Sequence, residues 1–226
     1  MKKQIVVIGL GRFGISLATT LSSIGHDVLA LDKDEKRVQD IASEITHAIQ
    51  ADATNETILK ELGIGNFEIA IVAMGSAIES SVLSTILLQK LGVPYVIARA
   101  NSDLHGRILE KIGAATVVYP EREMGIAVAE VVTLSGVSDY MSVATGYGVV
   151  KLIAPPYLVG EKLSGLGCGP KGKWEVGVLL IQRKDEVIVN PGQREAVEPD
   201  DVLILAGKHD SLEKLLTEAK KNKAKE

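Results

Sequence analysis

Short apolar runs alternate with helical patterns along the first 134 residues. The runs Gln4–Ile8, Asp27–Leu31, His47–Gln50, Glu68–Ala73, Tyr95–Arg99 and Thr116–Tyr119 read as strands. They are apolar almost throughout, as parallel strands covered on both faces must be. Between them lie helical patterns over Arg12–Ile24, Glu35–Ser43, Glu56–Leu62, Ala77–Leu91, Asp103–Ile112 and Glu121–Leu134. Alternating β and α elements imply right-handed crossovers and a doubly wound parallel sheet. Local punctuation agrees. Gly25 and Gly92 sit where helices end, Pro120 can open a helix at its first position, and Ser76-Ala-Ile-Glu79 has capping-box spacing.

The rhythm changes after Gly136. Gly148–Ala154, Trp174–Gln182, Glu186–Val189 and Val202–Leu205 read as short strands separated by Gly and Pro, with a closing helix near Ser211–Lys220. The second and third of these form a hairpin through Arg183-Lys184-Asp185. The organisation predicted is an α/β domain over 1–134, a smaller α+β domain over 140–220 and a flexible tail over 221–226. Gly165–Lys173 is flexible by composition.

Composition narrows the class. The 226 residues are 46% apolar and 24% charged, as in ordinary soluble domains. A net charge of −4 and only 4% aromatics offer nothing to nucleic acid or an anionic membrane. Cys168 stands alone, so no intrachain disulfide forms and a reducing compartment is expected. The chain starts on a strand, not a signal peptide, and no apolar run approaches ~20 residues. The expected location is cytoplasmic.

The chemistry concentrates at the first turn. Gly9-Leu-Gly-Arg-Phe-Gly14 follows a strand and opens a helix, and Asp32 ends the next strand eighteen positions beyond Gly14. In that context GxGxxG is the fingerprint of a Rossmann-like dinucleotide-binding unit. Gly9 allows the tight turn, Gly11 the approach of phosphate, and Gly14 close helix–strand packing. The helix N-terminus supplies free N–H donors, and Asp32 accepts ribose hydroxyls. Arg12 and Phe13 lie inside the motif.

Ligands of open α/β sheets bind at strand C-terminal ends. Asp32 with Lys33, and Asp52 with Ala53, stand at such ends. Asp52 reads either as an acceptor for an adenine amine or as a turn residue before Asn55. Ala73, Met74 and Gly75 leave room at the fourth strand. Arg99 ends the fifth, facing phosphates or closing a surface salt bridge. Glu121, in the first turn of its helix, is a dipole partner or a functional carboxylate. His26, His47, His105 and His209 are scattered without metal-ligand spacing, and Cys168 reads as an inert thiol. No catalytic constellation accompanies the nucleotide pocket, so an enzyme is not expected.

Several stretches together carry a resemblance. GLGRFG at Gly9–Gly14, Leu29-Ala-Leu-Asp32, Thr46–Thr54, Val72-Ala-Met-Gly75, Val96-Ile-Ala-Arg-Ala100, Glu110–Ala114 and Tyr119-Pro-Glu121 resemble the RCK (KTN) domain. That family regulates potassium channels and transporters. In the C-terminal part the likeness runs through Gly160, Leu163, Gly177-Val178, Arg183, Pro191, Asp200–Leu203 and Gly207. With one RCK unit the chain is most similar to the cytosolic gating subunits of Ktr potassium uptake systems, and less so to tandem Trk subunits. The loop at Gly165–Lys173 is longer and richer in glycine than the family pattern.

The resemblance implies binding of ATP or ADP, with NAD(H) more variable. Gly9, Gly11 and Gly14 would cradle phosphates, Asp32 would hold ribose, Asp52 would sit by adenine and Arg99 would face phosphates. Arg12 matches an arginine that meets the ATP γ-phosphate, often across a dimer interface. Glu121 matches a glutamate that helps bind a divalent cation, Mg²⁺ or Ca²⁺, between subunits. The resemblance further implies dimers assembled into an octameric ring, a membrane pore subunit as partner at the inner face of the membrane, and in some members cyclic di-AMP at the C-terminal domain. A small NAD(P)-dependent oxidoreductase is the alternative reading of the same residues. An NAD-sensing transcription factor is a third, weakened by the lack of a helix-turn-helix or basic face.

Overall fold

The structure, a computed structural model, describes residues 2–134, 136–169 and 172–223. Six parallel strands, β1 (Gln4–Ile8), β2 (Asp27–Asp32), β3 (His47–Gln50), β4 (Ile69–Val72), β5 (Tyr95–Arg99) and β6 (Thr116–Val118), stand in the order β3-β2-β1-β4-β5-β6. Five helices connect them: α1 (Arg12–Ser23), α2 (Glu35–Ile41), α3 (Glu56–Glu61), α4 (Ile78–Lys90) and α5 (Asp103–Lys111). The doubly wound sheet expected from the sequence is present.

The apolar runs are continuous because each strand feeds two cores. Val6 and Ile8 of β1 join Leu29, Leu31, Leu59, Leu88, Val96 and Leu109 on one face. Ile5 and Val7 join Leu10, Ala18, Val28, Val38 and Ile41 on the other. Successive side chains point to opposite faces, so a strand covered on both sides has no polar position to spare. Gly25 and Gly92 close α1 and α4 with φ of 95° and 79°. Ser76 does not cap α4. The cap position is Ala77, without a side-chain hydrogen bond, because the helix starts one residue later than a Ser76 cap requires.

The chain divides into two compact units, Met1–Glu121 and Arg122–Glu226. The helix α6 (Pro120–Thr133), which the sequence reading placed in the first domain, begins in the first unit and runs into the second. None of its residues is fully buried, while Val131 and the following Leu134 pack into the second unit's core.

That second unit is an antiparallel sheet with a terminal helix. Its strands are β7 (Val137–Ala144), β8 (Tyr147–Ile153), β9 (Gly177–Arg183), β10 (Glu186–Val189) and β11 (Val202–Lys208), in the order β10-β9-β11-β8-β7, followed by α7 (His209–Lys223). The β9–β10 hairpin turns through Lys184 and Asp185, with Lys184 at φ 54°. Three readings need correction. The strand β7 was not anticipated: it is an edge strand with two register shifts against β8, and most of its side chains are exposed, so it lacks the apolar signature. The strand β9 starts at Gly177 rather than Trp174, because Glu175 adopts φ 54° and breaks the extended run. The helix α7 continues to Lys223, into the expected tail. Residues 224–226 of that tail, and 170–171 of the Gly-rich loop, lie outside the described residues.

One ionic group is built into the second core. Asp201 is fully buried and receives Arg183 Nε and Nη2, each at 2.9 Å, in a two-pronged fork. The backbone N–H of Glu198 donates to Asp201 at 2.8 Å. Arg183 also reaches Glu195 at 3.0 Å, Glu198 at 2.9 Å and the Ala196 carbonyl at 2.9 Å.

Candidate nucleotide site

A cavity of about 270 Å³ opens at the C-terminal ends of β1 to β5, where the strand order reverses between β1 and β4. Crevices at such switch points are where open α/β sheets take their ligands. The volume is near the lower end for small-molecule sites.

The glycine turn forms one wall. Gly9 has φ 97°, and a Cβ there would meet Met74 Cγ at 2.7 Å. A Cβ on Gly14 would come within 1.8 Å of the Gly9 carbonyl, so this glycine seats α1 against the turn. Gly11 differs: a Cβ there would meet nothing within 4 Å. The protein's own packing does not demand a glycine at 11. The clearance it leaves opens on the cavity, which Gly9 and Gly11 line.

Helix capping marks the same wall. Side chains cap α2, α3 and α5, through Asp34, Asn55 and Ser102. The helices α1 and α4, starting after Gly11 and Ala77, have no side-chain cap, and both cap residues line the cavity. Their first-turn N–H groups lack intrahelical partners and carry partial positive charge, a setting suited to an anion.

Charged groups complete the lining. Asp32 is 8% exposed and accepts from Leu10 N–H at 2.6 Å and Asp34 N–H at 2.9 Å, one on each oxygen. Arg37 Nη1 lies 3.6 Å from the same carboxylate. Each oxygen keeps a lone pair for a further donor. Asp52 Oδ1 accepts from Thr54 N–H at 2.9 Å and Thr54 Oγ1 at 2.7 Å. These bonds, opposed by partial burial and aided by Lys33, hold its carboxyl below the usual range. Asp52 is thus the turn residue before Asn55, and it also lines the cavity. Arg99 takes part in an ion pair and borders the same space. It lines the cavity, and its Nη2 donates to Glu121 Oε1.

Ten of the expected site residues line the cavity together: Gly9, Gly11, Asp32, Lys33, Asp52, Ala53, Ala73, Met74, Gly75 and Arg99. Gly14 stands behind the wall, and the Phe13 ring lies 5.7 Å from the Arg99 guanidinium carbon. Arg12 is exposed and outside the lining, as is Glu121. The sequence reading missed Arg37, Thr54 and the serines Ser76, Ser80 and Ser84. Ser80 and Ser84 carried a signal: four residues apart on α4, they share one helix face.

The four histidines do not come together. The His26 ring accepts from Lys3 N–H at 3.2 Å, His47 is exposed, and His105 is buried beside Asn101. His209 Nδ1 lies 3.0 Å from Glu130. Among the described residues no group of three His, Cys, Asp or Glu side chains could hold a metal. Cys168 is buried, which pushes its thiol up to about 11.

The comparisons with known proteins agree with this geometry. The TrkA-N domain model matches residues 5–120, the span of the parallel sheet and its cavity. Ktr system potassium uptake protein C of Bacillus subtilis is 39% identical over 207 residues, 92% of this chain and 93% of that protein. Ktr system potassium uptake protein A of Vibrio alginolyticus is 35% identical over 211 residues, 93% and 94% of the two chains. The crystal structure of the GsuK RCK domain superposes with a TM-score of 0.64 over 96% of this chain and 48% of that one; at 15% identity it shows the shared fold. The structure of the GsuK channel bound to NAD does the same, with a TM-score of 0.62 at 15% identity over 96% and 39%. Matched through its nucleotide-type sheet and more than a third identical to these relatives over nine-tenths of both lengths, the chain belongs to the TrkA-N domain family, among the Ktr system potassium uptake proteins.

Proposed function

We propose that this chain is a nucleotide-responsive regulatory subunit that controls potassium transport through a separate membrane pore subunit. The observation that carries the reading is the cavity at the strand-order switch, walled by two uncapped helix N-termini and the buried Asp32 carboxylate. Relatives named for potassium uptake match more than nine-tenths of the chain, and the NAD-bound GsuK channel shares its fold. The pore, in this reading, belongs to a partner, as the likeness to Ktr system potassium uptake proteins supports.

In this reading ATP and ADP, or NAD(H), lay their phosphates at Gly9, Gly11 and the first turn of α1. Asp32 accepts from the ribose, Asp52 from the adenine amine, and Ala53, Ala73, Met74 and Gly75 give the base and sugar room. Lys33 and Arg99 offset phosphate charge. Exposed Arg12 is free to meet the γ-phosphate of a nucleotide held by a second copy. Glu121 is one carboxylate already joined to Arg99, and one carboxylate does not make a cation site. Mg²⁺ or Ca²⁺ at Glu121 therefore requires further oxygens, from phosphate or from a second copy. When bound, such a cation neutralises facing carboxylates and phosphates. The subunit works as a dimer within an octameric ring on the cytoplasmic face of the membrane, with the C-terminal unit as the candidate cyclic di-AMP site. A switch of this kind needs a ligand that binds two conformations unequally, and the γ-phosphate is the group that can differ.

A thermal-shift matrix tests the reading: ADP, ATP, NAD and NADH, each with Mg²⁺, with Ca²⁺ or with chelator. A saturating ligand at about 100 times its Kd adds roughly 2.7 kcal/mol of apparent stability. We expect adenine nucleotides to raise Tm by several degrees, with a cation increment for ATP alone. No shift with any nucleotide would remove the reading.

A further inference from the structure

The pairing of Arg99 with Glu121 joins two residues to which the sequence assigned separate tasks. We propose that Glu121 is an internal competitor for phosphate: Arg99 exchanges the Glu121 carboxylate for the phosphates of a bound nucleotide, so Glu121 holds nucleotide affinity down and is itself released by binding. The proposal rests on the nucleotide reading above and adds to it a positioning role that needs no metal ion.

The two partners are unequally anchored. The Arg99 side chain ends β5 and is 18% exposed. Its guanidinium lies along Gly75, where a Cβ would come 2.8 Å from Arg99 Cζ, so the absent side chain provides its berth. Nη1 reaches the Ala73 carbonyl at 3.4 Å, and the Phe13 ring lies 5.7 Å away. Glu121, at the second position of α6, is 67% exposed. If the pair opens, the carboxylate moves into water while the cation stays at the cavity wall.

The donors are unequally used as well. A guanidinium carries five N–H groups. Nε of Arg99 is buried without a hydrogen-bond partner among the described residues, so the Glu121 contact does not satisfy the group. A phosphate presents several acceptor oxygens to that fork, where Glu121 presents one. The exchange replaces one charge-assisted bond by another at a better-served guanidinium. It is opposed by whatever the original ion pair contributed, and that opposition is the cost Glu121 adds to nucleotide binding.

Two other roles for Glu121 predict different results. An ion pair that only anchors α6 leaves nucleotide affinity untouched when broken. A carboxylate that only repels phosphate through space acts by its charge, whether or not it reaches Arg99.

Calorimetric titration of the whole chain in chelator separates these, with ADP and adenosine as probes and Glu121→Gln and Glu121→Asp as variants. Asp keeps the charge but draws the carboxylate back by one methylene, which lengthens and weakens its contact with Arg99. We expect both variants to bind ADP about two- to fivefold more tightly than wild type, the worth of a largely exposed ion pair. Adenosine, which has no phosphate for Arg99, should bind all three proteins alike. Unchanged or weaker ADP binding in Glu121→Gln overturns the proposal. So does a gain in Glu121→Gln that Glu121→Asp does not share, since charge alone would then be acting. Failure of the wild type to bind ADP would instead overturn the nucleotide reading, and the exchange with it.

Discussion

The two units each bury an aspartate at a strand end, and they treat it in opposite ways. Asp201 is fully buried, and Arg183 with the Glu198 N–H takes up both of its oxygens. Asp32 is almost as buried, yet its direct bonds are two backbone N–H groups, with Arg37 at a longer 3.6 Å, and it borders a cavity. Taking a carboxylate from water is costly unless hydrogen bonds and charge replace the water. In the second unit the chain supplies a close counter-charge and three hydrogen bonds, and the result is a structural joint. In the first the replacement is partial, and the remaining acceptor capacity faces space that a ligand can enter. Burial alone therefore does not separate the two carboxylates; a close counter-charge on one and a bordering cavity on the other do.

Breaking the Arg183–Asp201 joint should have the largest effect on stability. Asp201→Ala leaves Arg183 partly buried without its main partner, and we expect a loss of about 3 kcal/mol, the lower end for a broken buried pair because Arg183 retains some solvent contact. Denaturant unfolding followed by Trp174, which lies in the second unit, measures it. ADP affinity should not change. Weakened ADP binding in this variant would erase the contrast between the two aspartates.

Asp32→Ala should register both in ADP titration and in unfolding of the first unit followed by far-UV circular dichroism. Loss of the ribose acceptor weakens ADP binding more than tenfold, or about 1.4 kcal/mol. The buried Leu10 N–H is left without an acceptor, at a cost of about 1–3 kcal/mol in stability. Titration well below the variant's own Tm separates the two. Full ADP affinity in a folded Asp32→Ala protein would take Asp32 out of the site.

The smallest effect is on acid stability. Burial alone would raise the Asp201 pKa, but the Arg183 fork, the Glu198 N–H and the charge of Arg183 outweigh it and hold the group below the usual carboxylate range. A carboxyl with a depressed folded pKa contributes stability that is complete above its unfolded value, about 3.9, and lost as pH falls through the folded value. Stability followed at Trp174 should fall below about pH 4 in the wild type and run flatter over that window in Asp201→Asn. Parallel curves would show that Asp201 does not set the acid limit.

The first unit was readable because its signals are local. Strand 5–8 shows four apolar residues in a row since both faces of the sheet are covered. Gly9, Gly11 and Gly14 sit within one turn, and Asp32 is one strand away along the chain. Arg37 was harder to find. Its position in the first turn of α2, where a cation opposes the helix dipole, was the only sequence cue. In the second unit β7 gave no cue, since an exposed edge strand with shifted register has no periodic apolar face.

By itself, then, the chain's pattern of apolar residues and turns determined the doubly wound sheet, the β9–β10 hairpin and the cluster of residues bordering the cavity, because periodicity and glycine geometry act over a few residues. Folding decided which charges meet. Arg99 and Glu121 are 22 positions apart and Arg183 and Asp201 are 18, and nothing in either separation announces a pair. Ionic partners are chosen by which strand and helix ends the sheet brings together, and by how much water remains there, quantities that exist only in three dimensions.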